Sequence, residues 1–233
     1  MATAVLLAAG SGERFSGETS KQMAPLAGST VLEYSLNAFE KNQEIQTIVL
    51  VTSQSLISDV KQLVGQNFKK VSQIIQGGST RSDSSSAALN TIVAGPQEKV
   101  LIHDAARPLV SQAIINSCIN ALDHNEAVVT ALPSTDTILE VEEGNVISVP
   151  KREYLWRAQT PQGFQLGAIK NAYELLGRVT DDDEFVPTDD CSVLLHFSPK
   201  SRLAVVYGSE TNIKITYPVD LSLAETFIHL NTL

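Results

Sequence analysis

The sequence predicts an α/β fold: a mostly parallel sheet with helices on both faces, plus a protruding β-hairpin arm. Three observations predict it. Apolar strand-like runs alternate with helically spaced apolar residues from Ala2 to Leu132, the rhythm of a layered α/β domain. The first run, residues 2–9, is almost wholly apolar, as in a strand buried on both faces of a parallel sheet. After Pro133 the rhythm breaks, and two β-rich runs flank Glu142-Glu143-Gly144-Asn145, which reads as a hairpin.

Each element follows in order. Residues 2–9 form the first strand, and the Gly- and Ser-rich stretch 10–20 is a loop. Leu32, Leu36 and Phe39 recur at helical spacing, so 30–40 is a helix. Strands at 47–52 and 71–76 flank a helix at 57–64. A serine-rich start leads into a helix at 81–93. A short strand at 99–102 ends at His103-Asp104. Ile114, Ile115, Cys118 and Leu122 share one face of a helix at 111–122, and 127–132 is a strand. Right-handed crossovers put ligands at the carboxyl ends of such strands. Gly10, Gly77 and Asp104 each follow a strand-like run, so the three gather on one rim. The hairpin pairs 137–141 with 146–149; Ile138 and Ile147 do not suit a parallel core, which leaves a dimerisation arm or a surface flap. A helix at 166–176, an acidic loop at 177–187, a strand at 203–207 and a helix at 218–229 complete the chain, with Pro218 suited to a first turn. Residues 212–216 read as strand-like, with Lys214 opposite Ile213 and Ile215. The whole of 1–233 is expected to form one domain, with the arm at about 136–152.

Composition excludes several classes. The 233 residues carry a net charge of −9 and only 17 Lys and Arg, so most of the surface repels a phosphate polymer and a nucleic-acid partner is not expected. Cys118 and Cys191 have no metal-ligand spacing and read as free thiols in a reducing compartment. The apolar N-terminus lacks a basic n-region and runs into a glycine loop, so it is a strand and not a signal peptide. No apolar stretch is long enough to span a membrane. A cytoplasmic protein is expected.

Three motifs could carry chemistry. Ala8-Ala9-Gly10-Ser11-Gly12-Glu13-Arg14-Phe15 is a glycine loop that lets backbone N–H groups approach a phosphate. Phe15 stands where a dinucleotide fingerprint needs glycine, and no Gly-Lys-Ser/Thr follows as a P-loop requires. What remains is a loop carrying Arg14 and, further on, Lys21, or a plain structural turn. Gly77-Gly78-Ser79-Thr80-Arg81-Ser82-Asp83-Ser84 could read a base and ribose, or be a turn with a helix cap. In His103-Asp104-Ala105-Ala106-Arg107-Pro108, Asp104 is placed for Mg²⁺, which favours a carboxylate plus substrate phosphates. Arg107 could pair with Asp104 or a phosphate, and His103 reads equally as a base or a hydrogen-bonded core residue. Thr160-Pro161-Gln162 is a rigid turn with a free hydroxyl; Arg152, Arg157 and Lys214 are late cations that could be solvated.

Together these segments resemble the 2-C-methyl-D-erythritol 4-phosphate cytidylyltransferase family. The resemblance rests on Leu7 to Arg14, Lys21-Gln22, His103 to Pro108, Asp136-Thr137, Leu155 to Gln162, Thr188-Asp189-Asp190 and Asn212 to Thr216, in family order. Ser20, Met23-Ala24-Pro25, Ser85 and Tyr217 depart from the family's usual residues. The resemblance implies a Rossmann-like sheet and transfer of CMP from CTP to methylerythritol phosphate with Mg²⁺. It implies that Arg14 and Lys21 act on the CTP phosphates, and that Arg152 and Lys214 orient the acceptor phosphate. Ala8, Ala9, Gly10, Gly12, Gly77, Ser84 and Asp104 would hold the nucleotide, with Asp104 also a metal ligand. Asp104, Arg107, Thr137, Arg152, Thr160 and Lys214 would hold the acceptor. The arm would join a homodimer and complete the neighbouring site. Ribitol 5-phosphate cytidylyltransferase, a close relative, carries Ala-Val-Arg-Pro and Gly-Gln-Thr-Pro-Gln where this chain has Ala-Ala-Arg-Pro and Ala-Gln-Thr-Pro-Gln. A catalytically silent nucleotide-binding regulator would be expected to lack the loop cations that are present here.

Overall fold

A computed structural model describes residues 1–10, 12, 15, 20–65, 67–179 and 185–230. In chain order the elements are β1 (Ala2–Ala8), β2 (Pro25–Leu26), β3 (Ser29–Thr30), α1 (Val31–Glu40), β4 (Ile45–Thr52), α2 (Ile57–Val64), β5 (Val71–Gln76), α3 (Arg81–Thr91), β6 (Lys99–Asp104), α4 (Gln112–Ala121), β7 (Ala127–Pro133), β8 (Glu140–Glu142), β9 (Asn145–Ser148), β10 (Trp156–Gln165), α5 (Leu166–Leu176), α6 (Asp190–Phe197), β11 (Leu203–Tyr207) and α7 (Val219–His229). Short 3₁₀ turns lie at Gln54–Leu56 and Arg152–Tyr154.

Seven strands form the central sheet in the order β11-β7-β10-β6-β1-β4-β5. β1 lies parallel to both β4 and β6, and β11 parallel to β7. All seven residues of β1 are buried. Leu6 joins α1 and α4 on one face through Leu36, Phe39 and Ile115, and Val5 and Leu7 join α3, α5 and α6 on the other through Leu89, Ile169 and Leu194. Alternate side chains of a strand point to opposite faces, so a strand covered on both sides must be apolar at every position. Capping fixes the helix starts: Thr30 and Glu33 form a capping box on α1, and Thr80 and Asp83 form one on α3, each satisfying N–H groups that the first turn leaves open.

The parallel alternation read from sequence is present, with one insertion that it missed. β10 runs antiparallel between β6 and β7, pairing Gln162 with Ile102 and with Val129. The predicted rigid turn at Thr160-Pro161-Gln162 lies inside this strand, where the register with β7 shifts between Ala158 and Gln162. Proline has no N–H for a ladder and is tolerated in sheets only at such irregularities; its carbonyl accepts from Thr130 Oγ1 at 2.7 Å. α6 was also missed. Residues 212–216 form no ladder strand, yet Ile215 N–H donates to the Ala106 carbonyl at 2.7 Å, and Ile215 is buried beside Ala24, Leu26 and Ala224. The hairpin β8–β9 turns at Glu143 (φ 48°) and Gly144 (φ 81°), the two left-handed residues of the turn that matches strand twist.

Phe39 is fully buried and its ring centroid lies 5.0 Å from that of His103. Phe39→Ala is expected to lower unfolding free energy by about 3–5 kcal/mol, measured by urea denaturation.

Candidate active site

The carboxyl ends of β1, β4, β5 and β6 meet on one rim, and a cavity of about 470 Å³ opens there. Leu7, Ala9, Gly10, Lys21, Gln22, Gly78, Ser79, Thr80, Arg81, Ser84, Asp104, Ala106 and Lys214 line it. Its volume suits a small-molecule ligand. A smaller cavity of about 260 Å³ adjoins it, bounded by Arg107, Ala158, Gln159, Thr160, Gln162, Thr188 and Asp189. Arg81, Asp104 and Lys214 line both.

The glycine-rich turn after β5 is shaped by close approach. A Cβ on Gly77 would lie 2.4 Å from Ala9 Cβ and 2.7 Å from Ser84 Oγ, and one on Gly78 would lie 2.2 Å from Asp83 Cβ. Ser84 Oγ donates to the Thr80 carbonyl at 3.0 Å and accepts from Gly78 N–H at 3.2 Å. Gly10, just after β1 where the first loop begins, is held by Gln22, whose Nε2 donates to the Gly10 carbonyl at 3.0 Å.

Asp104, the last residue of β6, forms the wall between the cavities. Its Oδ1 lies 3.0 Å from Arg81 Nε and its Oδ2 lies 2.7 Å from Lys214 Nζ. Burial would raise its pKa, but Arg81 and Lys214 outweigh that and hold the carboxyl well below the usual carboxylate range. Thr160 Oγ1 accepts from Asp104 N–H at 3.1 Å and lies 3.0 Å from His103 Nδ1, while His103 Nε2 lies 3.1 Å from the Arg107 carbonyl. Arg107 Nη1 in turn donates to the Asn212 carbonyl at 2.8 Å. Burial pushes the His103 pKa down to about 4. His103 is therefore a hydrogen-bonded core residue that braces the rim.

Lys21, Ala9, Gly10, Ser84, Asp104 and Lys214 of the sequence-expected site meet at the larger cavity. Asp104, Arg107, Thr160 and Lys214 meet at the smaller one. Ala8 and Gly77 lie behind the lining, with the Ala8 side chain in the core. Gly12 adopts φ +69° beside the aliphatic stem of Lys21. Thr137 and Arg152 are exposed at the foot of the hairpin and line neither cavity, and Arg152 Nη1 donates to the Thr135 carbonyl at 3.0 Å. Arg14, and the acidic run Asp181 to Glu184, lie outside the described residues.

Arg81 and Asp190 were given no role from the sequence. Arg81 Nη1 lies 2.7 Å from Asp190 Oδ2, and Tyr173 donates its hydroxyl to Asp190 Oδ1 at 2.6 Å. One signal was available: Arg81 is the first residue of α3, where a cation opposes the helix dipole and needs carboxylate partners. As to a metal, no group of three or more His, Cys, Asp or Glu among the described residues is arranged to hold one. Asp104 is the single carboxylate of the larger cavity among them, with its oxygens on Arg81 Nε and Lys214 Nζ; Mg²⁺ favours one carboxylate with substrate phosphates, and Asp104 would take it by sharing an oxygen with one of those cations.

A doubly covered α/β sheet with a glycine-lined, cation-bearing cavity at its carboxyl rim defines a nucleotide-binding protein. The sequence profile of the 2-C-methyl-D-erythritol 4-phosphate cytidylyltransferase family matches residues 2–230, and the chain belongs to that family. It is a cytidylyltransferase. A 2-C-methyl-D-erythritol 4-phosphate cytidylyltransferase of Thermobifida fusca is 39% identical, covering 97% of this chain and 92% of its own. The bifunctional ribulose 5-phosphate reductase/CDP-ribitol pyrophosphorylase Bcs1 of Haemophilus influenzae is 40% identical over 95% of this chain, which spans only 47% of that relative's length. Among solved structures, 4-diphosphocytidyl-2C-methyl-D-erythritol synthase of Anaerococcus prevotii superposes with a TM-score of 0.84 at 31% identity, covering 97% of this chain and 95% of its own. No helix among the described residues is long and apolar enough to cross a membrane.

His103 predicts a pH effect. Its folded pKa of about 4 lies below the ordinary 6.5, so the fold favours the neutral ring. That stabilisation is complete above pH 6.5 and is lost as pH falls through about 4, worth roughly 3 kcal/mol at about 1.4 kcal/mol per unit. Urea unfolding across that window should show the decline, and His103→Gln should flatten it.

Proposed function

We propose that this chain transfers the CMP part of CTP to 2-C-methyl-D-erythritol 4-phosphate and releases pyrophosphate, as a cytoplasmic enzyme of non-mevalonate isoprenoid biosynthesis. The observation that carries the reading is the pair of abutting cavities that share Arg81, Asp104 and Lys214. CTP takes the larger, with its nucleoside against Ala9, Gly10, Gly78 and Ser84 and its phosphates toward Lys21. The acceptor takes the smaller, against Arg107, Thr160 and Lys214. A phosphate oxygen of the acceptor attacks the α-phosphorus, the bond to the β-phosphate breaks, and pyrophosphate leaves with the electron pair.

The nucleophile is already an anion, so no side chain has to remove a proton. The protein's work is to bring two polyanions together and to place positive charge where it develops. Lys21 and Lys214 do this from the described rim, with Arg14 as the further cation of the first loop. Asp104 would hold Mg²⁺, which when bound would supply positive charge to the phosphates.

The hairpin supports a homodimer. Ile138, Leu139, Val141, Val146, Ile147 and Val149 are all exposed on it, and so apolar a surface marks an interaction site. Thr137 and Arg152 at its foot reach neither cavity of their own chain, so they are assigned to the smaller cavity of a second copy. The Haemophilus relative's CDP-ribitol pyrophosphorylase name favours ribitol 5-phosphate as the competing acceptor.

Pyrophosphate release with CTP and Mg²⁺ is expected with methylerythritol phosphate and not with ribitol 5-phosphate; release with ribitol 5-phosphate alone would move the assignment to the polyol acceptor. Lys21→Ala should lower kcat about 10²–10³-fold, the scale of one lost transition-state donor. Arg152→Ala and Lys214→Ala should each be inactive alone, and refolding them together should restore turnover in mixed dimers. Failure of that complementation would place Arg152 outside the shared site.

A further inference from the structure

Thr188-Asp189-Asp190 belongs to the family-like strings, and the reaction just described gives Asp190 no part. The structure buries Asp190 completely at the start of α6. Its position is held from several sides: its N–H donates to Gln162 Oε1 at 3.1 Å, Tyr173 donates to one carboxylate oxygen, and Arg81 Nη1 meets the other. Asp189 caps α6 in a capping box with Ser192, so the Asp190 backbone is fixed by local structure as well.

Arg81 is divided between two carboxylates. Nε faces Asp104, Nη1 faces Asp190, and Nη2 is buried with no hydrogen-bond acceptor among the described residues. Nε and Nη2 form one edge of a guanidinium, the edge that grips a carboxylate with two parallel bonds. On Asp104 that grip is only half made. The second oxygen of Asp104 goes to Lys214 instead, at 2.7 Å. A buried donor left open costs about 1–3 kcal/mol, so something must hold Arg81 away from the two-point grip. Asp190 is the group placed to do so.

We infer that Asp190 is a positioning residue, which draws the Arg81 fork to a single bond on Asp104 and so keeps Asp104 Oδ2 for Lys214 between the two cavities. Tyr173 adds a hydrogen bond to the other Asp190 oxygen and leaves the one on Arg81 in place. Without the Asp190 charge, Arg81 closes Nε and Nη2 on both Asp104 oxygens and displaces the Lys214 ammonium. The consequence for turnover rests on the proposed nucleotidyl transfer; the consequence for Lys214 does not.

The test therefore begins on the ligand-free protein. Lysines are acylated in a short pulse and read by mass spectrometry, with Lys70, held on the Asn42 carbonyl just before β5 and outside this network, as internal reference. Asp190→Asn, close to isosteric, should raise Lys214 labelling relative to Lys70 by about threefold or more, as expected when a charge-assisted bond is lost. The same variant should lower kcat/KM by about tenfold or more, the scale of a misplaced group near the chemistry. Asp190→Glu should restore both in part. Tyr173→Phe disturbs the same buried cluster but leaves the Arg81 ion pairs, so it should lower Tm while Lys214 labelling stays within about twofold. If Asp190→Asn does not fold, Arg81→Lys is read in its place: a lysine cannot divide one fork between two carboxylates, and it should also change Lys214 labelling. Unchanged Lys214 labelling in a folded Asp190→Asn protein would overturn the inference, whatever its activity. Raised labelling with no turnover of either acceptor by the wild type would leave the inference standing and remove the proposed reaction.

Discussion

The site is built around a carboxylate that water cannot solvate. Asp104 is almost fully buried at the end of a central strand, and its charge is carried by Arg81 and Lys214. Removing one partner of a buried ion pair costs about 3–5 kcal/mol, because the remaining charge stays buried. The three side chains therefore cannot be placed independently. Arg81 comes from the start of α3, Lys214 from the irregular segment before α7, and Asp104 from β6, so this one cluster fastens three distant parts of the chain at the point where the cavities meet. The second buried carboxylate, Asp190, extends the same constraint to α6.

The antiparallel strand β10 explains why there are two cavities. A wholly parallel sheet presents its rim as strand ends followed by loops and helix starts. β10 runs the other way between β6 and β7, so its first half enters the rim and sets Ala158, Gln159 and Thr160 beside Asp104. Thr160 then bonds the Asp104 N–H and approaches His103. The register shift at Pro161 lets the strand keep both neighbours while turning these side chains toward the cavity. Larger and smaller cavities are thus the parallel and antiparallel sides of one strand end.

What the sequence made legible follows from how far each signal reaches. β1, β4, β6 and the helices packed on them are marked by burial pattern alone, and the gathering of Gly10, Gly77 and Asp104 on one rim follows from parallel topology. β10 was hidden because Pro161 and Gly163 are turn residues to any local reading, and only the flanking strands turn them into a ladder. α6 was hidden because its N-cap is Asp189 with Ser192 as return partner, a weaker signature than Ser or Thr with Glu. Thr160 and Lys214 were found through a resemblance, since each alone reads as a surface group. Arg81 and Asp190 form a pair separated by 109 residues, and no local pattern announces such a contact. The misplaced cation at the start of α3 was the only trace of it.

The acidic chain and its cationic site are compatible because they act over different distances. At physiological salt, exposed charges are screened beyond about 8 Å, so a net charge of −9 slows the approach of a polyanion without reaching into a cavity. Inside, Lys21, Arg81, Arg107 and Lys214 line the two cavities against Asp104 as the acid they share, in surroundings that screen much less. Burial also pulls the Arg107 pKa down, with Arg81 adding to the fall and Asp104 opposing it, so Arg107 stays charged more readily with an anion beside it. Asp104 supplies that anion before any substrate arrives. The cations outnumber that one shared carboxylate, so the cavities stay net positive, and phosphate groups entering them meet ammonium and guanidinium groups already held in place, which is the condition for electrostatic stabilisation without reorganisation.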